Sequence, residues 1–309
     1  MSINKICFVG YGNHVKKTII PSLTIKKKNI KIVTKQKITE NFETFTDIKT
    51  ALKSLDKSYV FFNSTPPKEH FSTSKLILNS GFNIIVEKPI CSSSLQYKTL
   101  KKIADKKGLF LFENMMYFFS KQFSIFNNKI KYLSKIEKIE INFTIPKFSS
   151  NSFRTNHHIE NSLLYDVGCY PISLVSFLGI KPTKIKFDFK KKDRLLNNIK
   201  LSIISKKIQF DIVIGFFEKY QNNVILKYFD GSILTFNHFF YGKKIIKENI
   251  YQNRNKIKRI PIKENNIFEE IFKFSKNKIL DMSNKNEEII KSYLKILDTI
   301  KKKLNNTSN

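Results

Sequence analysis

The sequence predicts two domains in succession. Residues 1–115 read as an α/β domain with a doubly wound parallel sheet, and residues 116–309 as an α+β domain with a largely antiparallel open sheet. Three observations predict this. Short apolar runs alternate with helix-length segments through the first third, which calls for parallel strands joined by crossover helices. Beyond residue 115 or so the runs lengthen, alternate in polarity and lose their helical partners. Two of these later runs meet at Asp230-Gly231, a strong hairpin signal.

The elements follow in order. INKICFVG (3–10) reads as a buried strand, then a glycine-containing turn and a helical stretch through Lys17, Ile20 and Leu23. NIKIVT (29–34) is a second strand, and residues 45–55 a helix with Thr46 or Asp47 suited to cap it. SYVFFNS (58–64) is a third strand, ended by Pro66-Pro67, and residues 69–81 a helix stopped by Gly81. NIIVE (83–87), a capped helix over 94–108 and LFLFE (109–113) complete the first sheet. KIEKIEINFTIP (135–146) alternates as a strand with one wet face, and further strands fill 184–262. Two helical segments close the chain. The second carries Ile289, Tyr293, Leu297, Ile300 and Leu304 on one face.

Composition narrows the function classes. With 41% hydrophobic and 13% aromatic residues in 309, the chain is globular and long enough for two cores. No apolar run reaches the ~18 residues of a membrane span, and the N-terminus reads as a strand, so a cytoplasmic location without a membrane partner is expected. Cys7, Cys91 and Cys169 stand far apart without ligand spacing, which predicts reduced thiols and no metal. The net charge of +31 comes from lysines spread along the whole chain. Arginine, the usual base reader, occurs only at Arg154, Arg194, Arg254 and Arg259, so no specific nucleic-acid partner is expected. The positive field suits anionic small molecules.

Gly10-Tyr11-Gly12-Asn13-His14-Val15 lies between the first strand and the first helical stretch. Two glycines let the backbone turn tightly and approach a pyrophosphate, the arrangement of a dinucleotide site. Val15 departs from it, since the third position ordinarily holds a small residue that lets helix and strand pack closely. After the second strand come Thr34-Lys35-Gln36-Lys37, with no acid for ribose hydroxyls. A hydroxyl and ammonium groups suit a 2′-phosphate, which predicts NADP over NAD. The same lysines also read as ordinary solvated side chains.

GYGNH, FFNSTPPKEH, IIVEKP and YDVGCYPISL form an ordered set that resembles the Gfo/Idh/MocA oxidoreductases, the family of glucose–fructose oxidoreductase and inositol dehydrogenase. The similarity runs through nearly the whole chain. It implies a dinucleotide-binding Rossmann domain over 1–115 and a substrate-binding and oligomerisation domain over 116–309. The cofactor, NADP or NAD, would be held by Gly10, Gly12, Asn13, His14, Thr34, Lys35, Ser64, Thr65, Pro66, His70, Glu87 and Lys88. The resemblance places Lys88 on the substrate oxygen, with Pro89 fixing the turn through a bond that is often cis.

Asp166 and Tyr170, four apart, would share a helix face. A free tyrosine titrates at about 10, and a neighbouring ammonium favours its phenolate. The resemblance therefore gives Tyr170 the proton transfer, Lys88 the polarising charge and Asp166 the positioning of substrate hydroxyls, while Arg154 either binds a substrate hydroxyl or phosphate or braces the fold. A sugar or nucleotide sugar is the implied substrate, and a homo-oligomer, dimer or tetramer, the implied assembly. Asn114 and Tyr117 read as packing residues or as lining of the substrate cleft. HIENS (158–162) stands where relatives carry glycines, which implies a reshaped entry. His157 and His158 are adjacent and would not converge on a metal. Two readings follow: an NAD(P)-dependent dehydrogenase or reductase acting on CH–OH groups, and a non-catalytic descendant that binds a ligand or partner.

Overall fold

Apolar runs of about four residues become the strands of the first sheet in the computed structural model, which describes residues 3–148, 152–155, 158–193, 195–206, 208–240, 246–253, 256–273 and 276–306. These strands are β1 (Ile6–Val9), β2 (Ile30–Val33), β3 (Glu43–Phe45), β4 (Val60–Asn63), β5 (Ile84–Glu87) and β6 (Leu111–Asn114). All pair in parallel in the order β3-β2-β1-β4-β5-β6. The direction of winding reverses between β1 and β4. Val9 lies level with Val33 on one side and Asn63 on the other, which brings the ends of three strands to one line.

The crossovers are α1 (Ile48–Ser54), α2 (Pro67–Asn79) and α3 (Ser94–Lys106). Asp47 caps α1 by accepting from Thr50 N at 3.1 Å, and Ser93 caps α3 by accepting from Gln96 N at 3.3 Å. Gly81 and Gly108, at φ +80° and +62°, end the second and third helices in the left-handed region that glycine enters freely. The first helical stretch differs from expectation. Val15–Ile19 forms a single π-helical turn and Ile20–Ser22 a 3₁₀ turn, after which Leu23 is extended. Pro21 has no N–H to carry the ladder onward.

The second sheet takes the longer alternating runs. After α4 (Lys121–Lys129) come β7 (Ile136–Ile145), α5 (Leu163–Asp166) and α6 (Cys169–Phe177). They are followed by β8 (Lys184–Lys192), β9 (Leu195–Ile204), β10 (Gln209–Phe216), β11 (Gln221–Tyr228), β12 (Ile233–Asn237), β13 (Ile246–Asn253) and β14 (Lys256–Lys263). The order is β14-β13-β12-β11-β7-β10-β9-β8, antiparallel except where β7 and β10 run parallel. Asp230-Gly231 does join β11 to β12, with Gly231 at φ +79°. On β7, Ile139, Ile141 and Phe143 are buried, while Lys138 and Glu140 on the opposite face pair with Asp211 and Lys227.

The chain closes with α7 (Ile267–Lys273) and α8 (Lys276–Asn306). Two compact units result, Met1–Met115 with Phe268–Asn309, and Met116–Ile267. Residues 268–309, expected with the second domain, thus group with the first. The reason is that the stripe of Ile289, Tyr293, Leu297, Ile300 and Leu304 is buried where α8 meets α3 and β6. Polar contacts fix its register: Ser94 N donates to Asp298 at 3.1 Å, and Lys101 pairs with Glu287 at 3.2 Å. No helix among the described residues is long and apolar enough to cross a membrane. Cys7, Cys91 and Cys169 are buried and not joined in disulfides.

Candidate active site

In the first unit the site begins where β1 stops. Gly10 has φ +97°, and a Cβ there would lie 2.9 Å from the Ser64 carbonyl oxygen, so only glycine fits. Its N–H donates to Val33 O at 3.0 Å, while Ser64 Oγ donates to the carbonyls of Val9 and Gly10 at 3.0 and 2.9 Å. The turn is therefore wedged against β2 and the end of β4. Gly12 differs: a Cβ there would meet no heavy atom within 4 Å. Asn13 is exposed and His14 half-buried, whereas Val15 is buried at the start of the π-helical turn.

Thr34 donates its N–H to Phe45 O and accepts from Gln36 N at 3.1 Å through its hydroxyl; Lys35 is exposed. Sequence reasoning found no acid between residues 34 and 37, and the structure supplies one farther along. Glu40 lies 2.7 Å from Lys16 Nζ, and the same ammonium stands 5.8 Å from the ring of Tyr11 between the two glycines. The Lys16 hydrogen bond holds the Glu40 carboxyl below its ordinary range.

Thr65 Oγ1 donates to Asn63 at 2.7 Å, and Pro66 N-caps α2. His70 is buried, with Nδ1 2.6 Å from the Pro89 carbonyl oxygen and Nε2 2.7 Å from that of Thr65. It braces two loops from within rather than facing a ligand. Burial lowers its pKa, against the two carbonyls, which favour the doubly protonated ring. Glu87 ends β5, where it accepts from Asn114 Nδ2 at 2.6 Å and stands 3.7 Å from His14 Nε2. Half-buried Lys88 follows, joined to Pro89 by a cis peptide bond.

Glu113 lies in β6, one residue before its end. It is 1% exposed, accepts from Ile90 N at 2.7 Å and also from the hydroxyl of Tyr293. Burial pushes its carboxyl up to about 7, although both hydrogen bonds and the charge of Lys88 pull the other way. A period-2 reading could mark Glu113 only as an acid in a run of apolar residues. Its partner lies 180 residues away.

The second unit carries the other predicted group. Asp166 ends α5 and Tyr170 is the second residue of α6, so the two stand on successive short helices joined at Val167-Gly168. Glycine is required at 168, since a Cβ would fall 2.5 Å from Leu164 O. Asp166 is 3% exposed and accepts from Arg154 Nε at 2.6 Å, so two residues assigned separately to substrate are partners. The Arg154 guanidinium also lies over Phe153 at 4.7 Å. Tyr170 is buried beside Phe143 at 5.4 Å and Phe240 at 5.8 Å. Asn114 and Tyr117 are buried; Tyr117 shares a hydrogen bond with Ser173 at 3.0 Å, which favours the packing role. In the 158–162 segment His158 pairs with Glu160 and Asn161 is buried; His157 lies outside the described residues.

Residues 5–115 match the Gfo/Idh/MocA family model, described as an oxidoreductase family with an NAD-binding Rossmann fold. Curated relatives include the dTDP-3,4-didehydro-2,6-dideoxy-alpha-D-glucose 3-reductases of Streptomyces violaceoruber and Actinomadura kijaniata. The first is 24% identical over 115 residues, 37% of this chain and 34% of the relative. The second is 29% identical over 105 residues, 33% and 32%. Trans-1,2-dihydrobenzene-1,2-diol dehydrogenase of Xenopus laevis is 28% identical over 116 residues, 36% of this chain and 34% of that one. These matches span about a third of each relative's length. Among solved structures, KijD10, a 3-ketoreductase from Actinomadura kijaniata in complex with NADP and TDP-benzene, superposes with a TM-score of 0.80 at 16% identity over 95% of both chains. An aldose-aldose oxidoreductase from Caulobacter crescentus gives 0.77 at 12% identity over 96% of both. The glycine turn and the Glu-Lys-Pro strand end both lie within residues 5–115, the stretch that matches the model of the Gfo/Idh/MocA oxidoreductase family.

Proposed function

We propose that the chain is an NADP-dependent oxidoreductase that interconverts a hydroxyl and a carbonyl on a sugar or nucleotide sugar. The observation that carries this reading is topological. Gly10, Ser64 and Lys88 stand at the carboxyl ends of β1, β4 and β5, beside the reversal of strand order where open α/β sheets take their ligands. When bound, the nicotinamide supplies the hydride chemistry. The chain supplies binding and charge. Gly12 leaves space for close approach of a pyrophosphate, and Asn13 and His14 border it. Thr34, Lys35 and Lys16 offer a hydroxyl and two ammonium groups for a 2′-phosphate, the basis for preferring NADP.

Lys88 polarises the reacting oxygen, and Tyr170 gives or takes its proton. The Arg154–Asp166 pair of the second unit orients substrate hydroxyls or phosphate. The nucleotide-sugar reductases matching the first third of the chain support a substrate of that class. The reading keeps a cytoplasmic location and a dimer or tetramer formed through the open face of the second sheet, the latter checked by sedimentation. The decisive experiment is NADPH consumption against a panel of dTDP-ketosugars and free ketosugars. Turnover is expected, lost in Lys88→Met with NADPH affinity retained. An active Lys88→Met enzyme would contradict the mechanism, and ligand binding without any turnover would favour a non-catalytic descendant.

A further inference from the structure

The Pro89–Ile90 peptide unit is gripped at both of its polar groups by buried ionisable side chains. Its carbonyl oxygen lies 2.6 Å from His70 Nδ1, and its N–H donates to Glu113 at 2.7 Å. Most buried backbone groups in an α/β core bond to other backbone, so two side-chain partners on one peptide are unusual. Behind each partner stands another element. His70 sits on α2 and also reaches the Thr65 carbonyl, while Glu113 ends with the hydroxyl of Tyr293 on α8. The gripped peptide directly follows Lys88-Pro89.

We propose that Glu113 and Tyr293, opposed by His70, are positioning residues that fix the Pro89–Ile90 peptide and thereby set the place and electrostatic surroundings of the Lys88 ammonium. The inference rests on the role assigned to Lys88 above. It gives a function to the C-terminal helix, which brings one hydroxyl from the far end of the chain to the carboxylate beneath the Lys88 turn. The charged and titratable groups facing Glu113 come from each neighbouring element. They are Glu87 at the end of β5, Lys88 after it, Cys91 in the following loop, Tyr97 of α3 and Tyr293 of α8. Burial brings the Glu113 carboxyl into the neutral range, so its charge can change under working conditions.

The test needs no substrate. Lysines are reductively methylated with ¹³C, which preserves their charge, and the Lys88 signal is identified by its loss in Lys88→Arg. In the wild-type protein that signal should inflect near neutral pH as Glu113 ionises. Glu113→Gln keeps an oxygen acceptor for Ile90 and Tyr293 but has no charge to change, so the inflection should vanish. Tyr293→Phe removes a donor that favours the carboxylate, so the inflection should move upward by roughly half to one pH unit. Circular dichroism confirms that both variants fold. A Lys88 signal without a neutral inflection in the wild type, or with the same one in all three proteins, would overturn the inference. An active Lys88→Met enzyme would instead refute the role of Lys88, and the spectra would still report whether Glu113 senses it.

Discussion

Replacing Glu113 by glutamine should change how stability depends on pH, and the size of the effect follows from the burial of this one carboxyl. In the folded chain desolvation pushes it up to about 7, from an ordinary 4.5. The folded state therefore holds its proton to higher pH than the unfolded state, which releases it first. Between these two values stability falls as pH rises, and above about 7 the whole cost is present. At about 1.4 kcal/mol per pH unit, the gap of 7 − 4.5 amounts to about 3 kcal/mol. Glutamine cannot ionise, so the variant should lack this slope. Its amide introduces an offset from unmet hydrogen bonds, but that offset is the same at every pH. The assay is thermal unfolding by circular dichroism at pH 5, 6, 7 and 8. Part of that cost is already present at pH 5, so between pH 5 and pH 8 the variant should gain on the wild type by about 2.5 kcal/mol, roughly 5 to 10 °C for a unit of this size. Parallel curves would show that Glu113 is ionised throughout and would refute the reasoning.

Other outcomes follow from the same geometry. Gly10→Ala, with a Cβ driven to 2.9 Å from Ser64 O at φ +97°, should destabilise the first unit by about 2 kcal/mol or more. Gly12→Ala, with no neighbour within 4 Å, should keep the wild-type melting temperature yet weaken NADPH binding at least tenfold, as measured by fluorescence titration. Arg154→Met strands a carboxylate that is 3% exposed and should cost about 3 kcal/mol in chemical denaturation, while Arg154→Lys recovers part of it. Glu40→Gln frees Lys16 from its 2.7 Å partner and should shift the NADPH to NADH affinity ratio upward about threefold, since an exposed pair is worth little.

Much of the first sheet was legible because strands buried on both faces read as continuous apolar runs, and Gly81 and Gly108 punctuate the helices between them. The turn at Asp230-Gly231 was legible for a similar reason, its chemistry being local. What escaped reading was non-local or unpatterned. The edge strand Glu43–Phe45 has three largely exposed residues and thus no period to detect. The stripe on α8 declares a buried face, but nothing in an amphipathic stripe says which core receives it, and residues 268–309 group with the first unit rather than with the strands that precede them. Arg154 and Asp166 were each assigned to substrate because charge type is visible in sequence and pairing is not. The catalytic candidates Lys88, Asp166 and Tyr170 came from an ordered set of motifs. Spacing alone would have left Tyr170 a buried helix tyrosine, and its packing against Phe143 and Phe240 shows why that bland reading is reasonable.

The central claim, that the turn from Gly10 to Gly12 and the strand end at Thr34 take up NADP, is met most directly by titrating the protein with NADPH and, separately, NADH. The chain contains no tryptophan, so the nicotinamide is excited directly. Saturable NADPH binding that survives moderate salt, tighter than that of NADH, is the predicted result. Preference for NADH would remove the 2′-phosphate argument, and binding of neither by the folded protein would contradict the account as a whole.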